Sequence, residues 1–146
     1  MSLTSDQEQA LMAAAEEGVR HAYTEHGSQD DFRIGAAVLT DKGNIFSSGQ
    51  YRSETGSLTL HAEQSALAHA AAHGEYGIIG LAVTWNEKAS LKSDRESVYP
   101  CHMCKQLLWE SHLRSGLNMD ILIAEKGVIL ERIRLQELVG GYTWPR

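Results

Sequence analysis

The sequence has few cysteines, prolines and phenylalanines, with two of each among 146 residues. The two cysteines exclude a disulfide framework and a four-cysteine zinc ribbon. No apolar run approaches the roughly 20 residues that span a membrane, and the first 26 residues carry too many charges for a secretion signal. We therefore expect one domain over residues 1–146, without a membrane partner, working in the cytoplasm where thiols stay reduced.

Positive charge is also scarce, because 13 Lys and Arg stand against 19 Asp and Glu and the formal net charge is −6. Nucleic-acid binding depends on clustered Lys and Arg. The nearest such segment is "RIRLQ" at 132–136, which is flanked by Glu131 and Glu137. This balance favours a small-molecule substrate and argues against a nucleic-acid partner.

Hydrophobic spacing predicts helices alternating with strands along the whole chain. Because "IIGLAVTW" at 78–85 is apolar on both faces, we place it in the middle of a covered sheet. The order of elements predicts an α/β fold, a three-layer α/β/α sandwich with a mixed central sheet. The expected elements are a helix over 5–26 capped by Ser5 with Glu8, strands over 32–40 and 44–51, a helix over 58–74, the strand over 78–85, a loop over 86–99, a helix from Pro100 to about Arg114, a strand pair around Lys126–Gly127 and a short helix in "LQELVGG".

Two thiols lie three residues apart at the start of a predicted helix, in "PCHMC" at 100–104. A helix N-terminus favours thiolate, the form that binds zinc. Since no further cysteine exists, a zinc site here is either completed by histidine or left open. Among seven histidines, His61 differs by its context, because "HAE" at 61–63 opens the alanine-rich helix.

The two segments together match the zinc-deaminase signature, H-x-E followed by P-C-x-x-C. Each half alone is a weak signal, but both in this order predict one Zn²⁺ bound by His61, Cys101 and Cys104. Three protein ligands leave one open position for water, whose pKa the metal lowers. Glu63 is then the carboxylate that moves protons. Zn²⁺, two thiolates and a neutral imidazole sum to zero charge, which suits the uncharged Gln64.

Beyond the signature, the sequence resembles the cytidine deaminase family. "FRIGAAVLTDKGNIFSSG" is similar to the first hairpin of that family, and "HAEQSALAHAAAHGE" to the histidine-ligand helix of its larger, dimeric bacterial members. The tail "LQELVGGYTW" is similar to that of the short tetrameric members, including blasticidin S deaminase. The resemblance implies the deaminase sandwich, one zinc per subunit and a site assembled between the subunits of a homo-oligomer, either a tetramer or a dimer. It also implies a cytidine-like substrate, with contacts at Phe32, Gln50, Arg52, Ala62 and Trp144.

The sequence departs from the family in three places. Gln50 and Arg52 stand where the family shows an Asn-x-Glu pair that binds ribose. His61 and Cys101 are 40 positions apart (101 minus 61), several more than in short members. Met103 resembles the residue found in tRNA adenosine and guanine deaminases. An arginine has no acceptor for a sugar hydroxyl but binds carboxylate or phosphate well, so we expect an altered substrate unless Arg52 pairs with Glu54 or faces solvent.

Several alternative interpretations stay open. The cysteines could be a redox pair or core thiols, Phe32 could be core, and Trp144 could be an interface anchor. A deaminase acting on nucleic acid or on a free base shares the zinc centre. A non-enzymatic zinc-stabilised interaction module would need a fourth protein ligand, for which His102 is the candidate.

Overall fold

The structure is a computed structural model that describes residues 2–28, 31–86 and 99–140. Within these ranges, four helices and five strands follow one another in the predicted order. Their bounds are α1 Ser5–Arg20, β1 Ile34–Thr40, β2 Ile45–Gly49, α2 Ala62–Ala72, β3 Ile78–Trp85, α3 His102–Ser115, β4 Asp120–Glu125, β5 Val128–Arg134 and α4 Leu135–Val139, with a 3-10 turn at Gly56–Leu58.

The strands form one mixed sheet in the order β2-β1-β3-β4-β5. The central strand is β3, which pairs antiparallel with β1 and parallel with β4. This position explains why β3 is apolar on both faces. A two-residue turn joins β4 to β5, and Lys126 and Gly127 both have positive φ there, as a tight hairpin requires.

Helices cover both faces of the sheet, which confirms the predicted α/β/α sandwich. On one face α1 supplies Leu11, Met12 and Ala15 to a core with alternate residues of the strands. On the other face α2, α3 and α4 pack over the remaining strand residues, including Val83 and Ile121. Within the described ranges, no helix is both long and apolar enough to cross a membrane.

Helix α1 differs from its predicted bounds at both ends. Its cap is Thr4, whose hydroxyl accepts from the Gln7 N–H while Gln7 caps the Thr4 N–H, so the predicted Ser5–Glu8 capping box is wrong. The helix ends at Arg20 rather than at residue 26. The chain turns there because Tyr23 forms a bridge with Tyr51, which draws the following residues alongside the end of β2.

Candidate metal and catalytic site

The three predicted ligands meet at one point. The sulfur atoms of Cys101 and Cys104 lie 3.7 Å apart, and His61 Nδ1 is 3.2 Å from the first and 3.4 Å from the second. A tetrahedral zinc with bonds of about 2.3 Å to sulfur and about 2.0–2.1 Å to nitrogen requires edges of about 3.8 Å and 3.6 Å. The donor set and its spacing therefore fit zinc, and the two thiols are free rather than bridged.

The ligands lie at the beginnings of two helices. His61 is the N-cap of α2 and Cys101 is the N-cap of α3, while Cys104 lies in the first turn of α3. Two helix N-termini therefore converge on the metal position, and their partial positive charge favours thiolate. Pro100 precedes the cap, so α3 begins two residues later than predicted. His102 is exposed, and the cluster contains no fourth ligand among the described residues.

The backbone of His61 is held on both sides. Leu60 exchanges two hydrogen bonds with Tyr51, each 2.9 Å long, so the residue before the ligand is tied to the end of β2. The Gln64 amide oxygen accepts from the His61 N–H at 2.8 Å. These contacts explain why α2 begins at Ala62 and not at residue 58. The role of Gln64 as a cap was not foreseen, because histidine is not a typical capping-box residue.

Glu63 follows in the first turn of α2 and is 5 % exposed. Burial raises the pKa of its carboxyl, while a backbone hydrogen bond, the His61 imidazole and a hydrogen bond to Cys104 act in the opposite direction. Glu63 is not one of the clustered ligands. Its position next to the ligands, without coordinating, is the one that a proton-transferring carboxylate needs.

Cys104 is fully buried beneath this carboxylate. Burial, the Glu63 carboxylate and Cys101 all raise the pKa of its thiol. Two thiols and a carboxyl group this close together are costly to ionise at the same time unless a cation lies among them. A divalent metal reverses that balance, because it stabilises thiolates outright.

The predicted substrate contacts lie in different settings. Phe32 is 41 % exposed and precedes β1, whereas Ala62 is buried at the start of α2. The Gln50 amide bonds to the backbone of residues 32 and 34. Arg52 Nη1 lies 3.4 Å from Glu25 Oε2, so Glu25 is its acidic neighbour rather than the expected Glu54. Trp144 and most of the predicted 86–99 loop lie outside the described residues.

The model of the cytidine and deoxycytidylate deaminase zinc-binding region matches residues 5–116, about three quarters of the chain. The chain belongs to this family. The resemblance read from the sequence is thereby confirmed, and so is zinc as the cofactor, which the cluster of His61, Cys101 and Cys104 fits.

Two curated relatives match part of the chain. A cytidine deaminase of Cronobacter sakazakii is 33 % identical over 92 residues, which cover 62 % of this chain and 26 % of that protein. A protein of Dictyostelium discoideum, named as a probable cytidine deaminase, is 36 % identical over 81 residues, covering 56 % of this chain and 51 % of its own. The matched regions thus span about a quarter and about half of these two relatives.

Solved structures agree with the fold over nearly the whole chain. A cytidine deaminase from Burkholderia pseudomallei superposes with a TM-score of 0.71 at 22 % identity, covering 93 % of this chain and 96 % of its own. One from Mycobacterium tuberculosis gives 0.67 at 24 % identity, covering 92 % and 94 %. At this identity the likeness supports the fold alone.

Proposed function

We propose that this chain is a zinc-dependent hydrolytic deaminase that releases ammonia from an aminated pyrimidine nucleoside or nucleoside analogue. The observation that carries the proposal is a buried carboxylate, Glu63, beside a three-ligand His/Cys/Cys cluster with no fourth protein ligand among the described residues. An open metal position together with a non-coordinating acid is an arrangement for hydrolysis rather than for structure.

When bound at this cluster, zinc supplies a Lewis acid that brings the pKa of a water molecule towards neutrality. Glu63 takes the proton of the attacking water and hands it to the ring nitrogen next to the amino-bearing carbon. A second proton transfer through Glu63 reaches the amine, which leaves as ammonia while the ring carbon becomes a carbonyl. The Glu63 carboxyl suits this work because it is buried beside the three ligands without being one of them, so it can gain and lose a proton in each cycle.

The proposal is tested by replacing the proton carrier and keeping its shape. Glu63→Gln preserves size and hydrogen bonding but cannot carry a proton. We expect full zinc content and a loss of turnover of about 10²–10⁴-fold, measured as ammonia release from a panel of nucleosides, nucleotides and free bases. Glu16→Gln, on α1 at the opposite face of the sheet, is the control and retains turnover. A Glu63→Gln enzyme as active as the wild type would refute the mechanism.

Substrate selectivity is proposed to depend on Arg52, which stands in the place of a family glutamate. Its guanidinium has five donors and no acceptor, and its Nε is buried with no partner among the described residues. We expect a higher kcat/KM for a nucleoside analogue carrying a carboxylate or phosphate than for cytidine. Arg52→Glu should reverse this ranking. If cytidine is the best substrate and Arg52→Glu leaves the ranking unchanged, Arg52 serves only to pair with Glu25 and has no role in selectivity.

Other parts of the proposal concern partners and location. We propose a homo-oligomer, a tetramer by resemblance to the short family members, that acts in the cytoplasm without a nucleic-acid partner. The acidic balance of the chain and its unbridged thiols support this proposal. Binding of labelled tRNA or single-stranded DNA at low salt would favour the nucleic-acid-directed alternative instead.

A further inference from the structure

Residues 31–34 lead into β1 between the ends of its two neighbouring strands. On one side lies Gln50, directly after β2, and on the other lies Asn86, directly after β3. Both side chains are carboxamides, each with an acceptor oxygen and a donor nitrogen. They therefore flank the segment that carries Phe32, one from each side.

Gln50 bonds to this segment through three groups. Its backbone N–H donates to the Ile34 carbonyl at 3.2 Å, its Oε1 accepts from the Ile34 N–H at 2.6 Å, and its Nε2 donates to the Phe32 carbonyl at 2.9 Å. The Gln50 carbonyl accepts instead from the Tyr23 N–H at 2.9 Å. Because the Gln50 carbonyl is used by Tyr23, the Gln50 side-chain oxygen accepts the Ile34 N–H that a backbone carbonyl would accept in a regular strand.

Asn86 binds the opposite side in the same manner. Its backbone N–H donates to the Arg33 carbonyl at 3.1 Å, its Oδ1 accepts from the Arg33 N–H at 3.2 Å, and its Nδ2 donates to the Asp31 carbonyl at 2.7 Å. Four side-chain hydrogen bonds therefore fix the backbone on either side of a phenyl ring that is itself 41 % exposed. The two amides therefore fix the backbone from which this exposed ring projects.

We propose that Gln50 is a positioning residue for Phe32 and does not bind a sugar hydroxyl, an inference that rests on the proposed function. The resemblance assigns this position to ribose binding, but both ends of the Gln50 amide are bonded to the protein. Its oxygen and nitrogen serve the Ile34 N–H and the Phe32 carbonyl, so binding a hydroxyl would mean sharing or breaking these bonds. Phe32 would then stack on the substrate ring at a place that Gln50 and Asn86 determine.

The first test needs no substrate. Gln50→Met keeps the length of the side chain and removes both amide hydrogen bonds. We expect hydrogen exchange at the Ile34 amide to become about tenfold faster, because this N–H loses its hydrogen bond to the Gln50 side chain. Exchange in β4 and β5 should be unchanged. Gln106→Ala, which removes an amide bonded to Glu110 on α3, is the control and leaves Ile34 unchanged. Unaltered exchange at Ile34 in Gln50→Met would overturn the proposal.

The second test separates positioning from sugar contact. Steady-state rates are measured on cytidine and on 2′,3′-dideoxycytidine, which lacks both ribose ring hydroxyls. We expect Gln50→Met to lower kcat/KM about tenfold on both substrates, and Asn86→Ala to do the same. Neither variant should lower kcat/KM further when it is combined with Phe32→Leu. If Gln50→Met lowers kcat/KM on cytidine alone, and does so by the same factor in the Phe32→Leu background, Gln50 is a sugar contact.

The two tests also distinguish this proposal from the proposed function. If the wild type releases ammonia from neither nucleoside, nucleoside deamination fails, yet the Ile34 exchange still decides whether Gln50 fixes this segment. If the exchange responds to Gln50→Met but kcat/KM on both nucleosides does not, the deaminase stands and the positioning role is refuted.

Discussion

At the scale of single residues, Gln64 connects the metal ligand His61 to its helix. Its amide oxygen accepts from the His61 N–H at 2.8 Å, so it holds the ligand without touching the metal. Partners that orient the ring of a metal-ligating histidine typically contribute 10–100-fold to metal affinity, and Gln64 holds the backbone of the same residue. We expect Gln64→Ala to release zinc at least about tenfold faster than the wild type, measured with a chromogenic chelator.

The matched variant for this prediction is Gln64→Glu. A carboxylate still accepts from the His61 N–H and is equally suited to the third position of a capping box. We expect it to release zinc at nearly the wild-type rate, whereas Cys104→Ala, which removes a ligand, should lose most of its zinc. Equal release from Gln64→Ala and the wild type would show that Gln64 does not support the ligand.

The sequence predicted the clustered ligands, but it did not predict which side chains bond to the backbone around the site. His61, Cys101 and Cys104 carry a signature whose spacing depends on two helix starts, so local pattern was enough to predict that they lie in one cluster. Gln50 gave no such signal, because its partners in residues 31–34 lie 16 to 18 positions away in the chain. Only the pairing of β1 with β2 brings them together.

At the scale of elements, the backbone of α1 contacts the backbones of β1 and β2 where Gly18 of the helix meets Gly35 and Gly49 of the strands. A Cβ added to Gly35 of β1 would overlap the backbone oxygen of Ala15 and the backbone nitrogen of Val19. Helix and strand backbones cannot yield as a flexible side chain does. We expect Gly35→Ala to destabilise the fold by about 3 kcal/mol, or about 6–12 °C in Tm.

The control for this prediction is Gly56→Ala, because the Gly56 Cβ would meet no atom within 4 Å. Thermal unfolding followed by circular dichroism compares the two variants. We expect the Tm of Gly56→Ala to stay within a few degrees of the wild type. A Gly35→Ala protein that is as stable as Gly56→Ala would mean that α1 moves away from the sheet without cost.

Glu75, between α2 and β3, links that connection to the β1–β2 hairpin. Its carboxylate accepts from the Thr40 hydroxyl at 2.6 Å and from the Asn44 amide at 2.8 Å. The Thr40 hydrogen bond, and to a smaller extent Asn44 and Lys42, hold the pKa of Glu75 below its ordinary 4.5. The stabilisation is therefore present above about pH 4.5 and is lost as the pH falls through the lower, folded-state pKa.

We expect Glu75→Gln to unfold at a lower temperature than the wild type at pH 7. The difference should shrink below pH 4.5, since the wild-type carboxyl then becomes neutral as well. Paired thermal melts from pH 7 to pH 3 measure it, and Glu54→Gln serves as an exposed control. A Tm difference that stays constant over this pH range would show that the charge of Glu75 does not contribute.

Element boundaries failed where distant segments compete with local propensity. Leu60 pairs with Tyr51 in a bridge, so the alanine-rich segment cannot begin its helix at residue 58. Tyr23 pairs with the same residue from the other side, which ends α1 early. By contrast, β3 and the Lys126–Gly127 turn were predicted correctly. A strand that is apolar on both faces and the residue types of a tight turn can both be recognised from the local sequence alone.

At the scale of the whole molecule, the outer side of α3 presents apolar side chains beyond the core. Met103 is 57 % and Leu107 is 40 % exposed, one turn apart, and Leu107 borders a groove between α2 and α3 that also contains Leu67 and Tyr76. Exposed large apolar side chains grouped in this way are typical of a contact surface. This surface extends along the same helix whose first turn carries Cys104, so a neighbouring copy placed on it would lie near the metal cluster.

We expect the purified protein to have a mass about four times that of the 16.1 kDa chain, measured by light scattering at micromolar concentration. Leu107→Glu places a charge in the expected contact, and burying an unpaired charge is costly, so its mass should fall towards that of one chain and its ammonia release should fall with it. Val128→Glu, at a more exposed apolar residue where β5 begins, should keep the wild-type mass. A monomeric wild type would refute both the assembly and a site shared between subunits, and a Leu107→Glu protein that keeps the wild-type mass would exclude this face of α3 from the interface.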